Sequence, residues 1–336
     1  MPKRVLTVYS EYWKEEPFAI SRSSSDNFNV VIVKLEQNGF EGRGECSPTE
    51  RYNESASQTI SLIESFRNEL ERGISRNEIQ SIIPKGAARN AVDCAIWDLE
   101  AKIAGKRIWE LSEILEHLQI GHLSEPKIVT TVFSLGLDSP KKMGDVAKKN
   151  SKRPILKIKL KGEGDLERLN YIKENAPDSR LIVDANEGWN YDHYNRFVPE
   201  FLNLGVEMIE QPFPADKDHL LKNLGHPIPI CADESCHDRN DLPHLQDLYE
   251  FINIKLDKTG GLTEAIFLQN EAESMGFKTM VGCMSSTSLG IAPAFLIAQR
   301  AKIVDLDAPL YLYNDRPFPM KYELSKVFPP SKDLWG

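Results

Sequence analysis

The chain has 336 residues, 41% of them hydrophobic and 27% charged, with a formal net charge of −9 at pH 7. This acidic balance argues against non-specific binding to nucleic acid or to an anionic membrane, because both require a basic surface. No apolar run approaches the roughly 18 residues of a membrane-spanning helix, and the N-terminus lacks the apolar stretch of a signal peptide. The five cysteines form no CxxC pair, which predicts reduced thiols and a cytoplasmic location.

The first part of the chain predicts antiparallel strands followed by helices. Residues 1–46 are rich in β-forming side chains, and the turn signal at 37–39 divides them. Two helices are then expected, over about 54–73 and 87–102, the second with its apolar residues on one stripe. Strands followed by helices indicate an α+β module, which we place at residues 1–125.

From about residue 127, short apolar runs rich in β-forming residues alternate with helical stretches. The eight runs are residues 128–133, 155–160, 181–184, 206–210, 229–232, 251–255, 279–283 and 303–306. Buried parallel strands that alternate with helices form a (β/α)8 barrel or a doubly wound sheet, and eight units in roughly 180 residues favour the closed barrel. The sequence therefore predicts an α/β fold with a (β/α)8-type barrel.

Ionisable residues stand at the ends of five of these runs, where barrel enzymes carry their chemistry. Each follows the one before by about one strand and one helix: Lys159, Asp184, Glu210, Asp233 and Lys255. A single acid of this kind is most often a solvated strand end. Three on neighbouring strands would repel one another unless a cation removed the cost, and carboxylate oxygens suit Mg²⁺. The ordered triple beside lysines therefore favours a metal site.

The lysines indicate proton transfer. Lys157 and Lys159 are two residues apart, so both side chains point to the same side of a strand. A lysine beside another ammonium group and a divalent cation has a lowered pKa and can act as a base. Lys255 would face the site from the opposite side, whereas Lys258 is expected in a loop. Two such lysines suit removal of a proton α to a carboxylate and its return on the opposite face, through a Mg-stabilised enediolate.

These residues resemble the enolase superfamily, in its muconate-lactonizing subgroup, over nearly the whole chain. Within it the sequence most resembles the dipeptide epimerases, especially bacterial L-Ala-D/L-Glu epimerases. The motifs that carry the resemblance are Gly44-Glu-Cys-Ser-Pro48, Arg51-Tyr52, Gly86-Ala-Ala-Arg-Asn-Ala-Val-Asp-Cys94, Ile182-Val-Asp-Ala-Asn-Glu187, Ile230-Cys-Ala-Asp-Glu-Ser-Cys-His237 and Asn253-Ile-Lys-Leu-Asp-Lys-Thr-Gly-Gly261.

The resemblance implies a division of the chain and a set of roles. The N-terminal module becomes a capping domain, with loops at 17–26 and 47–53 over the mouth of a catalytic barrel at 126–311, and about 312–336 return to the cap. The implied Mg²⁺ ligands are Asp184, Glu210 and Asp233. The implied acid/base pair is Lys159 and Lys255, and Lys157 is implied to hold the substrate carboxylate.

Two further pairs would select the substrate. The resemblance implies that Asp305 and Asp307 bind the α-ammonium group of a dipeptide, and two carboxylates on one strand face suit that charge. Arg22 matches the position that receives the side-chain carboxylate of the second residue. Arg51 is the alternative partner, since either guanidinium can grip a carboxylate with two donors.

The implied protein is an enzyme, an isomerase that inverts the α-carbon of the second residue of L-Ala-D/L-Glu during recycling of cell-wall peptides. Its partner would be a small dipeptide, and a homo-oligomer is left open. The alternatives are an epimerase of other dipeptides, or a muconate cycloisomerase or o-succinylbenzoate synthase, neither of which needs an ammonium receptor. A peptide-binding protein without catalysis is a further alternative, which the complete set of lysines and carboxylates disfavours.

Overall fold

The computed structural model describes residues 3–111 and 125–336. In those two stretches, none of the helices has the length and apolarity needed to cross a membrane. All five cysteines are free thiols, as the sequence predicts.

The N-terminal part is an antiparallel sheet covered by helices. Its strands are β1 (Val5–Ala19), β2 (Ser24–Gln37) and β3 (Phe40–Cys46), in the order β1-β2-β3. Asn38 and Gly39 join β2 to β3 with φ angles of 54° and 83°, the left-handed backbone that the turn signal predicts.

Four helices follow: α1 (Ala56–Ser65), α2 (Arg67–Glu71), α3 (Arg76–Ile82) and α4 (Ala87–Ala104). The single helix expected over 54–73 is wrong in detail, because the chain breaks at Phe66, and α3 was not expected. Helix α4 is confirmed, and it lies so close to β3 that a Cβ on Gly44 would sit 2.0 Å from the carbonyl oxygen of Ala91.

The second part is one parallel sheet of eight strands. Before it, β4 (Val129–Thr130) pairs outside this sheet, so the run expected at 128–133 contains two elements. The eight strands are β5 (Phe133–Leu135), β6 (Ile155–Lys159), β7 (Arg180–Asp184), β8 (Val206–Glu210), β9 (Ile230–Ala232), β10 (Phe251–Ile254), β11 (Lys278–Val281) and β12 (Ile303–Val304). The backbone N–H of Val132 donates to the carbonyl of Val304 at 2.8 Å, which joins the two ends of the sheet and confirms a barrel.

Helices connect these strands on the outside of the barrel. They are α5 (Pro140–Lys149), α6 (Asp165–Asn175), α7 (Tyr191–Asn203), α8 (Leu242–Leu245), α9 (Leu256–Thr259), α10 (Leu262–Ser274) and α11 (Ser288–Ala298). The alternation expected from the sequence is interrupted twice. A 3-10 helix at Ala215–Asn223 follows β8, and a 3-10 turn at Ala308–Tyr311 follows β12.

The C-terminal segment leaves the barrel and contacts the N-terminal part. Strands β13 (Tyr322–Glu323) and β14 (Lys326–Val327) form a hairpin that pairs with β4. Beyond it, the indole N–H of Trp335 donates to the carbonyl of Cys94 in α4 at 3.0 Å. The domain boundaries near 125 and 311 stay a prediction.

Candidate active site

The barrel interior consists of layers, because every second side chain of a strand points inward. The floor is one apolar cluster with a residue from, or next to, each of the eight strands: Val132, Ile155, Ile182, Met208, Cys231, Phe251, Met280 and Ile303. Two residues further along each strand lies a polar layer: Ser134, Lys157, Asp184, Glu210, Asp233, Asn253, Gly282 and Asp305. The strand period therefore places the predicted site residues on a packed apolar floor.

Lys157 lies at the centre of the polar layer and is 1% exposed. Its Nζ lies 2.6 Å from Asp305 Oδ2, 2.8 Å from Glu210 Oε2 and 3.2 Å from Asp184 Oδ2. Burial opposes the charged form, but these three carboxylates outweigh it and hold the pKa of Lys157 well above its ordinary value. Lys157 is therefore a fixed positive charge rather than a base.

The two lysines expected to move protons each contact a different carboxylate. Lys159 Nζ donates to Asp184 Oδ2 at 2.7 Å, and Lys255 Nζ donates to Asp233 Oδ2 at 2.7 Å. They belong to β6 and to the end of β10, four strands apart in an eight-stranded barrel, so they approach its centre from opposite sides.

The charge state of Lys255 depends on its carboxylate partner. The lowered pKa expected from the sequence concerned the neighbours Lys157 and Lys159, and for Lys255 burial acts in that direction. The carboxylate of Asp233 lies 2.7 Å from the Lys255 Nζ, however, and it raises the pKa of Lys255 above its ordinary value. Lys159 and Lys157 likewise lower the pKa of Asp184 to about 2, although burial opposes this. The protein groups alone therefore favour the charged forms of Lys255 and Asp184.

Lys258 is placed wrongly by the sequence. It is not in a loop but in the short helix α9, and it is 1% exposed. Its Nζ donates to Asp233 Oδ1 at 2.7 Å and to the carbonyl of Asn253 at 2.9 Å. The four-residue helix turns the side chain back under the carboxyl ends of β9 and β10, a path that strand spacing does not reveal.

The residues present fit a hard divalent cation. Asp184, Glu210 and Asp233 are at most 1% exposed and offer only oxygen atoms. Asn253 Oδ1 is buried without a hydrogen-bond partner, and Glu210 Oε2 is buried 2.8 Å from the Lys157 ammonium group. Burial together with Asp184 raises the pKa of Glu210 to about 7. Among the described residues no three His, Cys, Asp or Glu side chains already form a metal-binding group. Lysine ammonium groups lie between the carboxylates instead, so ligation stays a proposal.

Asp305 and Asp307 line a cavity of about 80 Å³ together with Lys157, Lys159 and Lys255. Asp307 Oδ2 accepts hydrogen bonds from the backbone N–H of Ser134 at 2.7 Å and from the Tyr311 hydroxyl at 3.0 Å. Burial and the neighbouring Asp305 raise the pKa of Asp307 to about 7. Two buried acids that repel each other favour a cation between them.

Arg22 and Arg51 reach the barrel mouth, where protein carboxylates bind both. Arg22 donates to the carbonyl of Asn186 at 3.1 Å and lies 2.9 Å from Glu234 Oε1. Arg51 donates two hydrogen bonds to Glu187, at 2.6 and 2.8 Å. Both predicted arginines thus contact residues that closely follow the site carboxylates along the chain, and neither is among the residues that line the cavity of Asp305 and Asp307.

Some residues of the site escaped sequence reasoning. Asn253 Nδ2 donates to Glu210 Oε1 at 2.8 Å, and counting back by two from Lys255 would have found it. Gln211 adopts a φ of 36°, and its Oε1 accepts the N–H of Asp233 at 2.9 Å. Tyr311 follows the last barrel strand, and no pattern in the sequence marks it. The left-handed φ of Gln211 is a backbone strain that persists where the surrounding structure enforces it, often at functional sites.

Family models match both parts of the chain. Residues 3–112 match the N-terminal domain of mandelate racemase / muconate lactonizing enzyme, and residues 142–325 match the enolase C-terminal domain-like family. The chain is 42% identical to L-Ala-D/L-Glu epimerase of Escherichia coli over 93% of this chain and 95% of that protein. It is 40% identical to N-acetyl-D-glutamate racemase of Pseudoalteromonas over 91% and 95%.

A crystal structure of an enolase family member from Agrobacterium tumefaciens, with homology to dipeptide epimerases and with sodium and L-Ala-L-Glu bound, has the same fold. It superposes with a TM-score of 0.95 at 44% identity, covering 99% of this chain and all of that one.

Proposed function

The chain belongs to the enolase superfamily, and we propose that it is a Mg²⁺-dependent dipeptide epimerase acting on L-Ala-D/L-Glu. It is thus an isomerase of an amino-acid derivative. The observation that carries the proposal is one cavity that holds both the acid pair Asp305 and Asp307 and the lysines Lys157, Lys159 and Lys255. That cavity offers a site for the ammonium group of a dipeptide beside groups that can move its α-proton.

In this proposal Lys159 and Lys255 act on opposite faces of the second residue's α-carbon. One takes the proton as a neutral amine, and the other, as an ammonium group, returns a proton on the other face. Lys157 keeps its charge and holds the substrate carboxylate. Because the two lysines lie four strands apart, a substrate between them inverts without turning over.

The charge of the cluster supports these roles. Apart from Asp307, whose charge the substrate ammonium group would balance, four buried lysines face four buried carboxylates: Lys157, Lys159, Lys255 and Lys258 against Asp184, Glu210, Asp233 and Asp305. Mg²⁺ held by the three carboxylates predicted from the sequence would add two positive charges. Once the substrate carboxylate has entered, these charges would favour one neutral lysine, and they would stabilise the negative charge that forms on that carboxylate. A single neutral lysine is what a base on one face and an acid on the other require.

The side chain of the second residue is proposed to meet Arg22 or Arg51 at the mouth. Both guanidinium groups are partly exposed and keep unused donors, so a glutamate side chain can join Glu187 and Glu234 there. From the free thiols we further propose that the enzyme is cytoplasmic. Its proposed substrates there are peptides released from the cell wall.

Racemisation of an N-acylated glutamate is the second candidate, favoured by the 40% identity to N-acetyl-D-glutamate racemase. The two substrates differ at one point, because a dipeptide carries an ammonium group where N-acetylglutamate carries none. Asp305 and Asp307 are two buried acids that line the same cavity as the lysines, and a pair of acids there supports the dipeptide.

Proton NMR in D₂O with Mg²⁺ tests the choice. Loss of the α-proton signal of L-Ala-L-Glu and growth of the L,D isomer, faster than any reaction of N-acetyl-D-glutamate, is expected. The double variant Asp305→Asn, Asp307→Asn should lower kcat/KM for the dipeptide about 100-fold, since it removes a charge-assisted ammonium site. Faster turnover of N-acetyl-D-glutamate in the wild type would contradict the dipeptide assignment.

A further inference from the structure

We propose that Lys258 is a positioning residue that fixes the carboxylate of Asp233, and through it Lys255, so that its loss impairs one of the two proton-transferring faces selectively. The inference rests on the proposed function for its stereochemical part, and on the protein's own contacts for the rest.

Lys258 is among the most deeply buried charged groups of the described residues, at 1% exposure. Its ammonium group donates to Asp233 Oδ1 at 2.7 Å, to the carbonyl of Asp233 and to the carbonyl of Asn253 at 2.9 Å. All three donors of the ammonium group are thus used, and two of them go to the same residue. A cation held in this way has no freedom to approach a substrate, which excludes an acid or base role.

The position of Lys258 follows from α9, which begins directly after β10. Lys255 is the N-cap of this helix, and the N–H of Lys258 donates back to the carbonyl of Lys255 at 3.0 Å. Gly260 ends the helix with a φ of 79°, a left-handed conformation that glycine adopts without strain. One turn therefore carries both lysines to the same carboxylate from different sides.

Lys258 and Lys255 each contact a different oxygen of the Asp233 carboxylate. Lys258 takes Oδ1, and Lys255 takes Oδ2 at 2.7 Å. Without Lys258 the carboxylate can rotate and offer both oxygens to Lys255, which would move the lysine and remove an ordered ligand from the cation site. Partners of this kind, behind a metal ligand, typically contribute 10- to 100-fold to metal affinity.

The opposite side of the barrel has no such dependence on Lys258. Asp184 Oδ1 accepts the backbone N–H of Asn186 at 2.9 Å, and its Oδ2 meets Lys157 and Lys159. At saturating Mg²⁺, loss of Lys258 should therefore disturb the face served by Lys255 much more than the face served by Lys159. A role in folding alone would weaken both faces equally.

The test uses the full chain with Lys258→Met, which keeps the length of the side chain and removes its charge. Lys258→Gln, which retains a neutral donor, is a milder variant in case Lys258→Met does not fold. Lys85→Met is the matched control, because Lys85 is half-exposed at the same mouth and pairs with Asp238 at 3.0 Å. Calorimetric titration of the chelator-treated protein with Mg²⁺ alone gives the dissociation constant, and α-proton exchange in D₂O is measured separately from L-Ala-L-Glu and from L-Ala-D-Glu.

We expect the Mg²⁺ dissociation constant to rise 10- to 100-fold in Lys258→Met, less in Lys258→Gln, and not in Lys85→Met. Exchange should slow at least tenfold more for one epimer than for the other, and the slowed epimer should be the one that Lys255→Ala also slows. An unchanged dissociation constant, or equal slowing of both epimers, would overturn the inference. If the wild-type chain exchanged neither dipeptide, the proposed function would fall, while the Mg²⁺ titration would still decide whether Lys258 positions Asp233.

Discussion

Gly282 offers a direct test of how closely the polar layer is packed. It occupies an inward position of the polar layer directly after β11, and a Cβ there would lie 2.7 Å from Asn253 Oδ1 and 3.0 Å from Lys255 Cε, where ordinary contacts are 3.4–4 Å. Its φ is not in the left-handed region, so alanine fits the backbone. In Gly282→Ala the two side chains must therefore move by roughly 0.5–1 Å. Misplacement of about 1 Å can cost on the order of 100-fold in rate.

We expect kcat/KM for L-Ala-L-Glu epimerisation to fall about 10- to 100-fold in Gly282→Ala. Thermal unfolding should change little, because flexible side-chain ends can shift cheaply and the loss of a glycine restricts the unfolded chain. Gly225→Ala is the control, since nothing lies within 4 Å of its added Cβ. Wild-type activity in Gly282→Ala, at unchanged Tm, would refute the view that Lys255 is held in place by contact with the neighbouring strand β11.

Two further predictions concern the two proton-transferring lysines and a buried acid. Lys159→Ala and Lys255→Ala should each abolish epimerisation while one epimer, a different one in each variant, still exchanges its α-proton in D₂O; wild-type epimerisation by either variant would contradict the two-base assignment. Asp257→Asn should stabilise the protein above pH 7 and do so much less at pH 4, measured by Tm across pH. Burial raises the pKa of Asp257 to about 7, so the folded state binds its proton more tightly than the unfolded chain, and that stabilisation is lost as the pH rises through 7. Asparagine keeps the Oδ1 that accepts from Ser47 N–H and Asn90 Nδ2, both at 2.9 Å, and a gain in Tm that does not vary with pH would contradict the explanation.

Much of the fold could be predicted because its signals are local. Seven of the eight barrel runs coincide with the observed strands to within a few residues, since a buried strand needs a continuous apolar run bounded by polar residues. The N-terminal helix was wrong at Phe66 because apolar periodicity does not report a break that tertiary packing imposes. The expected run at 128–133 was misjudged because β4 pairs with a hairpin formed almost two hundred residues later, and no local pattern records such a partner.

The site, like the fold, could be predicted only in part. Residues on strands, such as Asp184 and Lys255, were predictable because a barrel fixes where the end of each strand lies. The arrangement of charges among them was not. Whether Lys255 meets a carboxylate or another ammonium group depends on side-chain directions within a few ångströms, and the structure places Asp233 nearest. Lys258 was missed for a related reason, because a four-residue helix reverses a side chain that a loop would leave in solvent.

The energetic cost of the cluster is itself an argument for chemistry. Removing a charged group from water costs several kcal/mol in practice, and apolar residues of similar size often stabilise a fold as well as a buried ion pair does or better. The floor of the barrel shows that this sequence can pack the same interior with aliphatic and aromatic side chains, from Ile155 to Ile303. Two residues above that floor, however, it buries Lys157 among three carboxylates at exposures of 0–5%. Stability does not account for that change between adjacent layers, whereas a reaction that must hold a carboxylate and move a proton beside it does.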